Sequence, residues 1–201
     1  FYGQAYMGSL DAWLIAVGFA LLGESVLTIR IVESILYLLV VITGYAVALR
    51  ISGRLIVAAV AGLVLAVPNV LLAVYTTATL GGYNETLLLG NLILLLGWDV
   101  THEHRRSVWR WALLGLFAGL GWWANGLIVA YALPVGVLIL RDVVKPLTPY
   151  PLSHAGGERG NTGRSHSTDA AVGARHASPL RTYALGIGVA FLCFLIGSAP
   201  W

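Results

Sequence analysis

A few charged residues of this chain lie beside or within long apolar stretches, where they could do chemistry. Arg30 and Glu33 are three residues apart on one predicted helix, so they share a face and can form an ion pair. Arg30 could instead bind the phosphate of a lipid-linked substrate, because a planar guanidinium donates hydrogen bonds in pairs. Glu85 lies in TLGGYNETLLLG, where two glycines and a tyrosine can form a tight loop that exposes the carboxylate to a cavity. Ionisable groups at membrane depth suggest a functional site.

Each candidate residue also has a structural interpretation. Arg30 and Glu33 could be an ion pair that anchors a helix at the level of the lipid headgroups. Asp11 and Glu85 could be first-turn charges that interact with the positive end of a helix dipole. Asn125, within WWANG, could line an outer cavity or only form a turn. Both interpretations stay open for these residues.

The composition is that of an integral membrane protein. Of the residues, 58% are hydrophobic and 10% are charged, whereas soluble domains carry about 25% charged residues. The net charge of +3 reflects membrane topology rather than a nucleic-acid partner. Residues 102–104, HEH, lack the spacing of a helical zinc motif, so no metal site is predicted. The sequence also contains no phosphate loop or dinucleotide fingerprint.

Long uncharged runs predict an all-α fold, a polytopic bundle of transmembrane helices. About 20 apolar residues cross the hydrocarbon core. Residues 107–140 would extend about 50 Å as one helix, well beyond a core of about 30 Å, so WWANG is predicted to be a turn between two helices. Eleven of the twelve Lys and Arg residues then lie on the cytoplasmic side. The predicted spans are residues 30–50, 55–77, 84–98, 107–122, 125–140 and 182–201.

The remaining segments have a different character. Residues 1–29 include an apolar run that is too short to span, so they are predicted to be the end of an extracytoplasmic loop with an interfacial helix. The missing upstream part of that loop is expected to precede residue 1. Residues 146–181 are rich in Pro, Gly, Ser, His and Arg, which predicts a disordered cytoplasmic linker.

The order of these segments resembles a known family. The opening YGQAYMGSLDAW, the later GGYNETLLLGNLILLLG and then LLGLFAGLGWWANGLIVAYALPVGVLIL are similar to membrane glycosyltransferases of superfamily C. The nearest group looks like the bacterial relatives of dolichyl-phosphate-mannose–protein mannosyltransferase and of the lipid A aminoarabinose transferase. The resemblance covers residues 1–145 and 182–201. Glu33 departs from it, since that family usually has proline at this position.

The resemblance implies a function and a set of site residues. The donor would be a polyprenyl-phosphate sugar, bound in the cell membrane from the outer leaflet, and a carboxylate would act as base on the acceptor. Arg30 matches an arginine at a helix start, and Glu85 falls near an outer-loop acid of the family. The expected catalytic residues are therefore Glu85 and Asp11, and the expected substrate-binding residues are Arg30 and Asn125.

Two other functions remain open. A transporter or flippase module for lipid-linked sugars could use the same polar residues, and so could a non-catalytic membrane assembly protein.

The family's leading Asp-Glu motif is expected upstream of Phe1, where it would favour the enzyme. The 201 residues alone are therefore expected to be an inactive fragment, and sugar transfer by them alone would contradict this expectation.

Overall fold

The computed structural model describes residues 9–77, 82–102, 107–144 and 168–199, and these residues are helical apart from short connections. This confirms the all-α prediction. The elements are α1 (Leu10–Leu22), α2 (Val26–Ser52), α3 (Leu55–Ala66), α4 (Val70–Thr77), α5 (Tyr83–His102), α6 (Val108–Ala124), a short 3-10 turn (Gly126–Ile128), α7 (Val129–Val144) and α8 (Thr168–Gly197).

Two helical segments are long and apolar enough to cross a membrane, namely Val26–Ser52 and Gly126–Val144. Their surfaces are those of lipid-facing helices, since large apolar side chains such as Leu38 and Leu133 are exposed. Three shorter apolar helices accompany them, Leu10–Leu22, Leu55–Ala66 and Tyr183–Gly197. The chain is thus all-helical and has two helices that could span a membrane, while the six spans predicted above remain a prediction.

The predicted span 55–77 is divided into two helices, because the chain passes through a proline. α3 ends at Ala66 and α4 begins at Val70, and Pro68 between them has no N–H to continue the helical ladder. The carbonyl of Leu65, in the last turn of α3, accepts from the hydroxyl of Tyr37 at 2.6 Å. The side chain of Asn69 then caps α4 by accepting from the Leu72 N–H at 2.8 Å.

The break within residues 107–140 lies at Asn125, inside the WWANG turn. α6 ends at Ala124, and Asn125 is extended, with φ −165° and ψ 134°. Its side-chain oxygen accepts from the Leu127 N–H at 3.0 Å, which starts the short 3-10 turn before α7. The side chain of Asn125 therefore stabilises the reversal of the chain.

Small residues bring the helices close together. On α6, Gly115 lies against the carbonyl of Ala190 and Gly119 lies against α8 one turn further on, so these two helices run in the same direction. On α5, Gly90 lies under the ring of Tyr131 and Gly97 under Val135. Close approach at such positions is the usual basis of helix association in membranes. The core that results comprises Leu89, Ile93, Val100, Trp111, Leu114, Ile128, Val135 and Tyr183.

α8 begins earlier than predicted. It starts at Thr168 rather than near residue 182, so its first residues lie within the segment 146–181 that was predicted to be a disordered linker. Residues 168–177 contain four alanines, which are good helix formers and explain the extension. The rest of the predicted linker up to residue 167, like residues 1–8 of the predicted outer loop, lies outside the described residues.

Candidate functional site

Three carboxyl groups from three different helices meet at one end of the bundle. Asp11 comes from the first turn of α1, Glu33 from α2 and Glu85 from the first turn of α5. Their exposed fractions are only 6%, 4% and 3%. The carboxyl of Asp11 lies close enough to the other two carboxyls to interact electrostatically with both. We call these three residues the carboxyl cluster.

An asparagine holds one member of the carboxyl cluster. Asn84 is buried beside Glu33, and its side-chain nitrogen donates to Oε2 of Glu33 at 2.5 Å. The same nitrogen lies 3.5 Å from the backbone carbonyl of Glu33. A buried carboxyl is costly unless it is hydrogen-bonded, so this contact joins α2 to the start of α5.

The loop before α5 is shaped by a glycine. Gly82 has φ +73°, and a Cβ atom there would lie 2.8 Å from the carbonyl oxygen of Ala124, so only glycine fits. The hydroxyl of Thr86 donates back to the Gly82 carbonyl at 2.6 Å and closes the turn. Gly82 and the first turn of α5 thus form a turn beside Glu85, while residues 78–81 of the expected loop lie outside the described residues. Glu85 is buried in the carboxyl cluster rather than exposed.

Two oxygens of the carboxyl cluster accept no hydrogen bond from the described residues. Oδ1 of Asp11 and Oε1 of Glu85 are buried and find no hydrogen-bond donor among the residues that the structure describes. Leaving a buried acceptor unsatisfied costs about 1–3 kcal/mol. Such atoms are positioned to accept hydrogen bonds from hydroxyl groups of a ligand or from water.

Asn125 lies near the same end of the bundle. The contact between Gly82 and Ala124 brings the end of α6 beside the start of α5. Asn125 is buried, and its side-chain oxygen forms the turn described above, which is the structural role left open by the sequence. Its side-chain nitrogen has no acceptor within the described part of the chain, so a donor remains available there.

Arg30 is separated from Glu33, so the ion pair that was one of the two interpretations of their spacing is not formed. Glu33 is buried against Asn84, whereas Arg30 is exposed and forms no ion pair with described residues. The reason is that α2 turns Glu33 toward α5 and Arg30 toward the outside. Arg30 lines a shallow groove of about 360 Å³ on the surface of α2 together with Leu27, Ile31, Ser34, Ile35 and Leu38.

Sequence reasoning did not place Glu33 or Asn84 in a common site. They are far apart in the chain, and Asn84 was not among the predicted site residues, although it begins the sequon NET at residues 84–86. The structure also buries Thr86, the third residue of that sequon. An asparagine directly before Glu85 was the available signal, but it becomes informative only when the partner helix is known.

No metal site is found in the described part of the chain. It contains no group of three or more His, Cys, Asp and Glu side chains arranged to hold a metal ion. His102, from the HEH sequence, stacks on the ring of Trp98 with 3.8 Å between the ring centroids. Residues 103 and 104 lie outside the described residues.

These features define a helical membrane protein with a carboxyl-lined site at one end of its bundle. A family profile described as dolichyl-phosphate-mannose-protein mannosyltransferase matches residues 9–153. The chain belongs to this family, which confirms the resemblance seen in the sequence and makes it a membrane glycosyltransferase by family. Comparisons with curated proteins and with solved structures gave no match.

Proposed function

We propose that the protein transfers a sugar from a polyprenyl-phosphate donor to an acceptor on the extracytoplasmic side of the cell membrane. The observation that carries this proposal is the family match, because residues 9–153 include every member of the carboxyl cluster. The bilayer and the lipid-linked donor are the partners that the proposal requires. The sugar is of the mannosyl type named in the family description.

Charge placement supports an outer location for the carboxyl cluster. α2 and α5 run in parallel, since Glu33 meets Asn84 at one end and Arg50 pairs with Asp99 at 3.1 Å at the other end. Arginines 50, 54 and 110 all lie near the end opposite the carboxyl cluster. Basic residues concentrate on the cytoplasmic side of membrane proteins, so the carboxyl cluster is assigned to the extracytoplasmic side.

The unsatisfied oxygens give the proposed chemistry its base. A carboxylate oxygen of Glu85 or Asp11 accepts the proton of an acceptor hydroxyl. The acceptor oxygen then bonds to the anomeric carbon, while the bond from that carbon to the phosphate oxygen breaks. Its electron pair stays with the phosphate, and polyprenyl phosphate leaves. The free side-chain N–H of Asn125 is proposed to bind a substrate oxygen near the same end of the bundle.

We expect Arg30→Ala to weaken binding of the lipid-linked donor. In the proposal, the guanidinium binds the donor phosphate while the apolar wall of its groove contacts the lipid chain. Hydrogen bonds to charged groups contribute about 1.5–3 kcal/mol, so KM for the donor should rise about 10- to 100-fold. Arg30→Lys should recover part of this loss. Arg54→Ala, at the opposite end of α2, is the control, and an equal effect of both substitutions would contradict the assignment.

The function is tested with membranes that contain the complete gene product. They are supplied with a polyprenyl-phosphate mannose labelled in the sugar, and labelled product separated from polyprenyl phosphate is measured. Transfer that depends on the protein supports the proposal. Movement of the intact labelled lipid between leaflets, without cleavage of its sugar–phosphate bond, would indicate a flippase instead. If neither activity is detected, the non-catalytic assembly role remains.

A further inference from the structure

We infer that Glu33 is a positioning residue, which acts through Asn84 to hold Glu85 and Asp11 in place for the proposed reaction. This inference rests on the proposed function, since it assigns a role at the same site. It concerns a residue that lies opposite the groove of Arg30 on α2 and that the proposed chemistry does not use.

The hydrogen bonding within the carboxyl cluster distinguishes Glu33 from its neighbours. Glu33 is engaged by Asn84, with 2.5 Å between Oε2 and the side-chain nitrogen. Asp11 and Glu85 each keep one buried oxygen that has no donor among the described residues. Oε2 of Glu33 is instead bonded to the protein, whereas the buried oxygens of its two neighbours retain capacity for a ligand.

The chain connects the Asn84 contact directly to Glu85. Asn84 immediately precedes Glu85 in the first turn of α5. The Glu33 contact fixes Asn84 from the α2 side, and the bond from Thr86 to the Gly82 carbonyl fixes the turn from within α5. The backbone of Glu85 is thus held from both sides. A loss of the Glu33 contact would let the start of α5 shift.

Glu33 also helps to position Asp11, which comes from a different helix, α1. α1 is a short helix in which only Asp11 and Gly18 are buried. Gly18 lies against Thr28 and Val32 of α2, and the carboxyl of Asp11 lies close to that of Glu33. Glu33 of α2 therefore lies beside the carboxyl that α1 brings and is bonded to Asn84, the residue before Glu85 on α5.

The experiment compares Glu33→Leu with Glu33→Gln in the transfer assay. Leucine removes the acceptor for Asn84, whereas the amide oxygen of glutamine still accepts from it. A displacement of about 1 Å costs about 100-fold in rate, so kcat should fall by about that factor in Glu33→Leu, with little change in donor KM. Glu33→Gln should retain most of the activity. Equal losses in the two variants would mean that Glu33 takes part in proton transfer, which would overturn the inference.

A matched control separates positioning from a loss of stability. Asn91 is another asparagine of α5 that bonds to α2, at 3.2 Å to the Val40 carbonyl and 3.1 Å to the Thr43 hydroxyl, two turns away from the carboxyl cluster. Asn91→Leu should lower thermal stability but leave kcat per folded molecule unchanged. If Glu33→Leu behaves in the same way, Glu33 has only a structural role. If Glu33→Leu does not fold, Asn84→Leu breaks the same contact from α5 and is compared with Glu33→Gln instead.

A second readout works without sugar transfer. A hydrophobic carbodiimide labels carboxyl groups in the membrane, and mass spectrometry gives the extent of labelling at Glu85. Labelling at Glu85 should change in Glu33→Leu and stay at the wild-type level in Asn91→Leu. No change in Glu33→Leu would overturn the positioning role. A wild type that transfers no sugar would refute the proposed function, while this labelling would still decide the role of Glu33.

Discussion

Glu85→Gln and Asp11→Asn should each lower sugar transfer by about 10²- to 10⁴-fold, the usual contribution of a general acid or base. Both substitutions keep the size of the side chain but remove the carboxylate that accepts the proton. The unsatisfied oxygens of these two residues are the reason for expecting the largest losses here rather than at other acids. The measurement is kcat with labelled donor, normalised to folded protein.

The control for this prediction is Glu24→Gln. Glu24 is an exposed acid in the connection between α1 and α2, close in the chain to the carboxyl cluster but outside it. It should keep wild-type activity. If Glu85→Gln and Asp11→Asn keep wild-type activity as well, the base is not in the carboxyl cluster. If only one of the two loses activity, that residue is the base and the other one positions it.

The sequence predicted the character of the fold well, because the bilayer imposes simple requirements on a chain. Every backbone polar group must be bonded within the membrane, so long apolar runs indicated helices, and the break at Asn125 followed from the length of residues 107–140. The division of residues 55–77 was missed because this uncharged run was predicted to be one span. A carbonyl at the end of α3, that of Leu65, accepts instead from the hydroxyl of Tyr37, a residue of another helix.

The candidate site was less predictable because it depends on which face of each helix meets its neighbour. Glu85 and Asp11 were selected as acids near helix starts, and the structure places each of them in the first turn of a helix and brings the two together. Their catalytic role stays a prediction. The spacing of Arg30 and Glu33 indicated a pair within one helix. Packing of α2 against α5 gave Glu33 a partner from a distant part of the chain instead. Contacts of this kind require the relative rotation of two helices, which one sequence does not contain.

Gly115→Ala and Gly119→Ala should destabilise the bundle strongly by separating α6 from α8. A Cβ at residue 115 would overlap the carbonyl oxygen of Ala190, and one at residue 119 would overlap that of Phe194. Overpacking costs about 1–3 kcal/mol where side chains can adjust. Because the obstacle here is backbone, we expect a loss of about 3 kcal/mol or more in the free energy of unfolding. Thermal unfolding of the purified protein in detergent measures it.

Gly188→Ala, on the partner helix α8, is expected to have the opposite effect. A Cβ at residue 188 would meet nothing within 4 Å, and alanine is favoured over glycine in a helix by up to about 1 kcal/mol. This variant should melt at or above the wild-type temperature. Equal melting of Gly115→Ala and Gly188→Ala would contradict the close contact of α6 with α8. Stability is the better readout than activity, because the end of α6 also supports Gly82 and a loosened α6 would disturb the loop before Glu85.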